Sequence, residues 1–343
     1  MKALIARLPT TITSRVRGFA IASLVAQILI VGTGGAVRLT GSGLGCPTWP
    51  RCTADSFIST PEMGIHGVIE FGNRLLTFVL VAIAIGMFLM VVRMRRTRPE
   101  LFRLALVIGL GIPAQAVIGG ISVLTNLDPY VVGLHFVLSV VLVVLATVLV
   151  YRVYTGRRGA AIALPAWYRP LAAFSAVALA VTILVGVLTT GSGPHAGDGG
   201  AARNGLDSEL LQHLHSWPAY LTFGATVLLL AGAQLLNLRP TRRFIALLLA
   251  IEVVQIVVGI AQARLGLPEI LVGIHMVLSC ALAAAMTAVL LSLRESHSNS
   301  DRGGLKGQQR IDTDRDEDER EVADRAVEDT HGLQLTTANH SSI

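Results

Sequence analysis

Long apolar runs separated by short polar segments dominate residues 1–293 of this chain. A helix of about 20 mostly apolar residues crosses the hydrocarbon core of a bilayer. Runs of about this length occur at residues 19–37, 65–92, 104–124, 131–150, 171–188, 214–236, 244–263 and 270–291. The pattern therefore predicts an all-α membrane protein with eight transmembrane helices.

An internal repeat groups these helices into two sets of four. The matching segments are 115–119 with 255–259, 132–139 with 272–279, 40–43 with 190–193 and, more weakly, 70–74 with 212–216. Four crossings return the chain to the side on which it began, so both copies have the same orientation. We predict two four-helix bundles, residues 19–155 and 165–293, related by a pseudo-twofold axis along the membrane normal.

Charge changes the picture by giving the protein an orientation. Arginines gather in the segments 93–98, 152–169 and 239–243. The positive-inside rule places these loops and both termini in the cytoplasm. The net charge of +6 then reflects topology, and we expect no nucleic-acid partner. Residues 1–18 form the cytoplasmic N-terminus, and the polar, acidic segment 294–343 predicts a disordered cytoplasmic tail.

Histidines mark the outer ends of the even-numbered helices. Five of the nine lie at or in predicted membrane segments: His66, His135, His213, His215 and His275. Ionisable residues inside a membrane usually mark function, although a histidine can also join helices through a carbonyl. His135 and His275 occupy equivalent positions of the two copies, which favours ligation. The histidines outside these segments, including His195, we expect to be solvated.

Imidazoles on facing helices suggest which metal centre they hold. Without a cluster of cysteines or carboxylates, they suit axial ligation of haem iron in a bundle core. A zinc site would gather its ligands around one ion. We therefore expect one haem-sized pocket in each half. Both His213 and His215 are candidates on the sixth helix, and the repeat alignment favours His215.

The second helix adds a carboxyl group. His66, Glu70 and Asn73 share one helix face, with Arg74 beside them. Glu70 either accepts a proton or stabilises a developing cation, or it forms an ion pair with Arg74 or Arg38. Both interpretations stay open on the sequence alone.

The first outer loop carries two of the three cysteines, in a compartment that permits disulfides. The string Gly41-Ser-Gly-Leu-Gly-Cys46-Pro-Thr-Trp-Pro-Arg-Cys52, preceded by Gly35-Ala-Val-Arg38-Leu-Thr40, resembles the signature of the haem A synthases. These membrane enzymes convert haem O to haem A for cytochrome oxidase. The resemblance extends from Phe19 to about Leu293.

The resemblance implies a reaction and a division of labour. The C8 methyl of haem O would be oxidised to a formyl group, with a haem b cofactor in one half and the substrate in the other. The resemblance implies His215 and His275 as axial ligands of haem b, Glu70 as the catalytic glutamate and His135 as the substrate-side histidine. It also implies a disulfide between Cys46 and Cys52. Arg38, Arg74 and Asn73 would contact haem propionates or be structural.

Two positions depart from the family pattern. Asn73 stands where the family has a histidine, and Ser216 stands where it often has an arginine. His66 is our candidate replacement ligand, although it would move the ligand outward by about 10 Å. Alternatively, His135 alone holds the substrate.

Two rival functions also fit parts of the pattern: a di-haem b-type electron-transfer cytochrome and a transporter built on a parallel repeat. For the synthase we expect haem O as substrate, the haem O synthase and oxidase assembly factors as partners, contact with membrane lipid, and a homo-oligomer. We expect a multi-pass protein of the cell membrane with its haem sites toward the outer face.

Overall fold

The computed structural model describes residues 8–156 and 158–296. In these residues it contains eight α-helices, which confirms the predicted all-α membrane architecture. They are α1 (Ser14–Leu39), α2 (Gly64–Val91), α3 (Pro99–Leu124), α4 (Pro129–Thr155), α5 (Tyr168–Ser192), α6 (Ser208–Leu235), α7 (Arg239–Arg264) and α8 (Glu269–Ser292). All are long and apolar enough to cross a membrane.

Capping explains where some helices begin. Thr13 accepts a hydrogen bond from the backbone N–H of Val16 at the start of α1. The Asp207 side chain does the same for α6, so this helix begins six residues before its apolar run. Proline stands in the first turn of α3 and of α7, where its missing N–H costs nothing.

Shorter elements complete the described chain. Two 3-10 turns, Pro61–Met63 and Val92–Met94, flank α2. Strands β1 (Arg158–Ala161) and β2 (Arg294–Ser296) pair with each other. Apolar runs do not reveal these strands, and β2 lies in the segment predicted as a tail. The rest of that segment, 297–343, lies outside the described residues.

The chain divides into two compact units. The first comprises Met1–Tyr154 and Ala161–Arg294 and contains the helical bundles. The second comprises Thr155–Ala160 and Glu295–Ile343, of which the structure describes residues 155, 156, 158–160, 295 and 296. All of the sites below lie in the first unit.

The repeat extends from sequence to packing. The buried positions of α3 recur in α7 with the same spacing, as Leu101, Ala105, Ile108 and Ile112 against Thr241, Ile245, Leu248 and Glu252. Those of α2 recur in α6, as Leu80, Ala84, Met87 and Val91 against Thr222, Thr226, Leu229 and Ala233. Equivalent helices therefore turn equivalent faces toward the core.

The first helix of each half differs at its outer end. Thr190-Gly191 lies inside α5, whereas the matching Thr40-Gly41 follows the end of α1, with Gly41 at φ 65°. Glycine tolerates this left-handed conformation. The buried positions of α1 and α5 match at a register shifted by two residues from the sequence repeat. By burial, Ala20 and Ser23 of α1 correspond to Ala172 and Ser175 of α5.

The two halves meet along a central seam. Val31 of α1, Val140 and Val143 of α4, and Cys280 and Ala283 of α8 form one buried cluster. Val140 and Val143 are the repeat equivalents of Cys280 and Ala283, so both halves contribute matching positions. Such self-matching contacts are what a twofold arrangement requires.

Candidate functional site

Two histidine rings face each other in the second half. His215 of α6 and His275 of α8 have ring centroids 6.1 Å apart and planes inclined by 63°. A histidine nitrogen binds a transition metal at about 2 Å, so two rings that share one metal atom have centres about 6 Å apart. The pair therefore has the spacing of two axial ligands on one iron.

Glycines hold both rings in place. A Cβ on Gly186 would lie 2.7 Å from Cε1 of His215, and one on Gly259 would lie 3.2 Å from Cε1 of His275. Larger residues would push the imidazoles out of position. These small residues explain why α5 and α7 can pack so closely against the histidines.

The hydrogen bonds of the two rings also suit ligation. His215 Nδ1 lies 2.9 Å from the carbonyl oxygen of Thr182. A carbonyl only accepts, so Nδ1 carries the proton and Nε2 keeps the lone pair that a metal needs. His275 Nδ1 is buried without a hydrogen-bond partner, and Gln255 donates to the His275 carbonyl at 3.1 Å. The donor set therefore fits a haem with two imidazole ligands.

His213, the other candidate on α6, points elsewhere. Its side chain is exposed, whereas His215 is half-buried against His275. In the described residues, no group of three or more His, Cys, Asp or Glu side chains is arranged to hold a metal ion. The arrangement is thus a facing pair rather than a ligand cluster.

His135 in the first half has nearly the same surroundings as His275. A Cβ on Gly119 would lie 3.2 Å from its Cε1, and its Nδ1 is buried without a partner. Gln115 donates to the His135 carbonyl at 3.0 Å and to Ser139 at 2.6 Å. The repeated glutamine and glycine were visible in the sequence, but their contacts with histidine were not.

The α2 position that corresponds to His215 is where the halves diverge. Asn73 occupies the α2 position that corresponds to His215, and its Oδ1 accepts a hydrogen bond from Thr33 at 2.8 Å. The amide lies beside Gly34, at 4.0 Å from where a Cβ would be. The first half therefore presents one imidazole and one amide.

His66 lies with the outer loops. Its side chain is exposed, and Nδ1 is 2.9 Å from the hydroxyl of Ser42. It lines an outer cavity of about 580 Å³ together with Met63 and Asp198. In the described residues, no hydrogen bond or ring contact joins His66 to His135. The structure thus does not bring these two histidines together.

Glu70 and Arg74 anchor the cysteine loop. Glu70 is 5% exposed; its Oε2 accepts from the backbone N–H of Cys46 at 2.6 Å, and its Oε1 accepts from Arg74 at 2.5 Å. Arg74 also donates to the carbonyls of Cys46, Thr48 and Arg51. Of the two arginines considered for Glu70, Arg74 is its partner.

The anchored loop closes the outer end of the first half. Cys46 and Cys52 are buried and form the predicted disulfide. Between them Trp49 packs on Gly120, where any side chain would overlap the indole. Because Gly119 contacts His135, the loop and the histidine share one stretch of α3.

Arg38 links the two halves instead of meeting Glu70. It donates to the carbonyl oxygens of Thr190 at 3.0 Å and His195 at 2.7 Å. His195 Nε2 also lies 2.9 Å from the carbonyl of Leu267. The expectation that His195 is solvated was wrong, because the loop that carries it folds back over the outer ends, with Gly43 donating to Gly197 at 2.8 Å.

These features define a duplicated membrane protein with eight long apolar helices in its described residues, whose halves carry unequal histidine sites. The family described as "Cytochrome oxidase assembly protein" matches residues 17–287, and the chain belongs to this family.

Curated relatives point to one activity in that family. The chain is 29% identical over 138 residues to "Heme A synthase" of Geobacillus thermodenitrificans, which covers 40% of this chain and 43% of that protein. It is 27% identical over 143 residues to "Heme A synthase" of Bacillus licheniformis, covering 39% and 45%. The alignments span less than half the length of the curated relatives.

Proposed function

We propose that this protein is a haem A synthase, an oxidoreductase that converts the C8 methyl of haem O to a formyl group for cytochrome c oxidase maturation. The observation that carries the proposal is the facing pair His215 and His275, with Nε2 of His215 left free, set against Asn73 and His135 in the other half. Family membership and the named relatives support the same activity.

The second half is the cofactor half in this proposal. His215 and His275 would hold haem b, and Thr182 and Gln255 orient these two histidines through hydrogen bonds. The bound haem supplies one-electron transfer. Gly186 and Gly259 keep the rings at the spacing that the ligands need.

The first half is the substrate half. His135 binds and orients haem O from α4, and the Cys46–Cys52 loop with Trp49 excludes water from the outer end. Glu70 holds negative charge there, where it stabilises a developing cation or takes a proton from water. Arg74 shares that charge and fixes the carboxylate. His66, outside this pocket, contributes to the outer loops.

The setting follows from the arginine-rich loops. We infer a multi-pass protein of the cell membrane with both termini cytoplasmic and the haem sites toward the outer face. Its partners would be the haem O synthase and oxidase assembly factors, and self-association would bring substrate halves together.

Haem extraction tests the proposal. The full chain is produced in membranes that contain haem O but no other haem A synthase, and the haems are extracted and separated by chromatography. We expect haem A and its hydroxylated precursor. Haem b and haem O alone would overturn the proposal and favour an electron-transfer cytochrome.

A matched pair of variants tests the role of Glu70. Glu70→Gln should keep the visible spectrum of the second-half haem and lose haem A. Glu62→Gln changes an exposed carboxyl shortly before α2 and should leave both unchanged. Parent-level haem A from Glu70→Gln would contradict the role given to this carboxylate.

A further inference from the structure

A second buried carboxyl lies midway along α7, away from the histidine pair. Glu252 is 4% exposed, and its Oε1 accepts a hydrogen bond at 2.8 Å from Thr226 of α6, which is fully buried. The Thr226 hydroxyl lies 3.4 Å from that of Ser175 on α5. Three helices thus meet at one polar cluster, and Glu252 Oε2 has no hydrogen-bond partner among the residues that the structure describes.

No arginine or lysine lies in the middle turns of α5 to α8, where Glu252 is located. The basic residues of α5 to α8 are confined to the helix ends, as Arg169, Arg239, Arg242, Arg243 and Arg264. The other titratable side chains away from the surface of these helices are the buried Tyr168 and Cys280 and the half-buried His215 and His275, all of which can be neutral. An unpaired carboxylate inside hydrocarbon costs several kcal/mol, whereas the neutral acid costs far less. Charge balance therefore favours a carboxyl that carries its own proton.

The first half shows that the fold does not need this cluster. The repeat equivalents of Thr226 and Glu252 are Ala84 and Ile112, which pack together in an apolar cluster with Leu80. The same helix crossing is closed by hydrocarbon in one half and by polar groups in the other. A polar pair that packing does not require, in the cofactor half only, indicates a role in that half.

Unpartnered acceptors continue from Glu252 along α7. Gln255 and Gln262 lie three and ten residues further, on the same helix face, and each has a buried Oε1 without a partner. A protonated Glu252 offers a donor at Oε2, and the amide oxygens offer acceptors. Bound water satisfies such groups where a cavity is polar. Gln255 also donates to the backbone carbonyl of His275, so its side chain lies beside the turn of α8 that carries this histidine.

We propose that Glu252 is a proton-carrying site, linked by bound water through Gln255 toward the pair His215 and His275. The carboxyl exchanges its proton with that water, so the cofactor half has an internal proton donor and acceptor. The proton site depends only on residues of this chain. Its service to a haem rests on the proposed function.

Infrared spectroscopy of the full protein in a detergent without ester carbonyls tests the proton. We expect a carboxylic-acid C=O band at neutral pH that shifts when the protein is moved into D₂O. The band should be lost in Glu252→Gln and kept in Glu269→Gln, which alters an exposed carboxyl at the start of α8. A band that survives in Glu252→Gln, or that is missing from the parent protein, would overturn the proposal.

A second variant tests the water link. Gln255→Leu removes the first acceptor and should slow the deuterium shift of the band several-fold, whereas Gln115→Leu in the first half should not. Equal exchange rates in both would overturn the link. If Glu252→Gln folds poorly, Thr226→Ala with Glu252→Ile installs the first-half residues, which already pack in this scaffold, and must also lose the band. None of these readouts requires haem A formation, so they fail or succeed independently of the synthase proposal.

Discussion

His275 faces an imidazole, whereas His135, its repeat equivalent, stands in a half that offers an amide. Both histidines lie against a glycine of the preceding helix, and both have a glutamine donating to their carbonyl. Duplication thus provides the same pocket wall on α4 and α8. The difference between the halves comes from one position on α2 and α6, occupied by Asn73 or His215.

The two halves also differ in charge near the start of α2 and of α6. Glu70 and Arg74 form an ion pair in the first half. Their counterparts Gln212 and Ser216 are neutral, and the Ser216 hydroxyl donates to the backbone carbonyl of Gln212. The half with the carboxylate also has the disulfide loop. The ion pair and the disulfide loop thus lie in the first half, and the facing histidine pair lies in the second.

Making the second half resemble the first should have the largest effect. His215→Asn removes one of two facing imidazoles, and we expect the purified protein to lose nearly all of its low-spin haem absorbance. His213→Asn, at an exposed position two residues away, is the control and should retain it. Full haem content in His215→Asn would contradict the assignment of the ligand pair.

The reverse exchange should give a smaller gain. Asn73→His places an imidazole opposite His135, and we expect more low-spin haem per chain than in the parent protein. The gain should disappear in Asn73→His with His135→Ala, because the new site then has one ligand. Haem quantified against protein by absorbance measures both, and a gain that persists without His135 would place the extra haem elsewhere.

A methyl group under the cysteine loop should act more moderately. Gly120→Ala collides with Trp49, and overpacking of this kind costs about 1–3 kcal/mol. We expect a lower thermal midpoint and faster labelling of Cys46 and Cys52 by a thiol reagent after mild reduction. Ile260→Ala, at the matching exposed position of α7, should change neither. Unchanged labelling would mean that Trp49 does not hold the loop.

The smallest expected effect comes from substituting the glycines that contact His275 and His135. Gly259→Ala and Gly119→Ala would each place a methyl 3.2 Å from a histidine ring. We expect Gly259→Ala to weaken haem retention by about 1 kcal/mol, roughly a fivefold faster loss to a haem-binding acceptor protein. Gly119→Ala should leave that loss unchanged, because it touches the half without paired ligands. Equal effects would argue that both halves hold haem alike.

Features set by local sequence could be predicted, whereas contacts between segments far apart in the chain could not. Apolar runs located every transmembrane helix, because bilayer thickness alone sets that signal. They missed the start of α6, where Asp207 caps a polar first turn. The disulfide between Cys46 and Cys52 was expected from the resemblance of its loop to the haem A synthase signature, and the structure contains it.

Contacts between segments far apart in the chain could not be predicted from the sequence. Sequence spacing left Arg38 and Arg74 as equal partners for Glu70, and only the fold shows that Arg38 reaches Thr190 and His195 instead. The prediction that His195 is solvated was wrong for the same reason. Glu252 could have been found from the sequence, because it is an acid inside the apolar run 244–263 and ionisable residues in such runs usually mark function. Its contact with Thr226 is visible only in the fold.

Arg38 and the central seam give the assembly a further property. The guanidinium of α1 binds carbonyls of the other half, α1 packs on α8, and Val140 and Cys280 meet in the cluster between them. In terms of quaternary structure, the two halves pack against each other as the two unequal subunits of a heterodimer do, but within one chain. A substitution at the seam is therefore expected to act on the histidine sites of both halves at once.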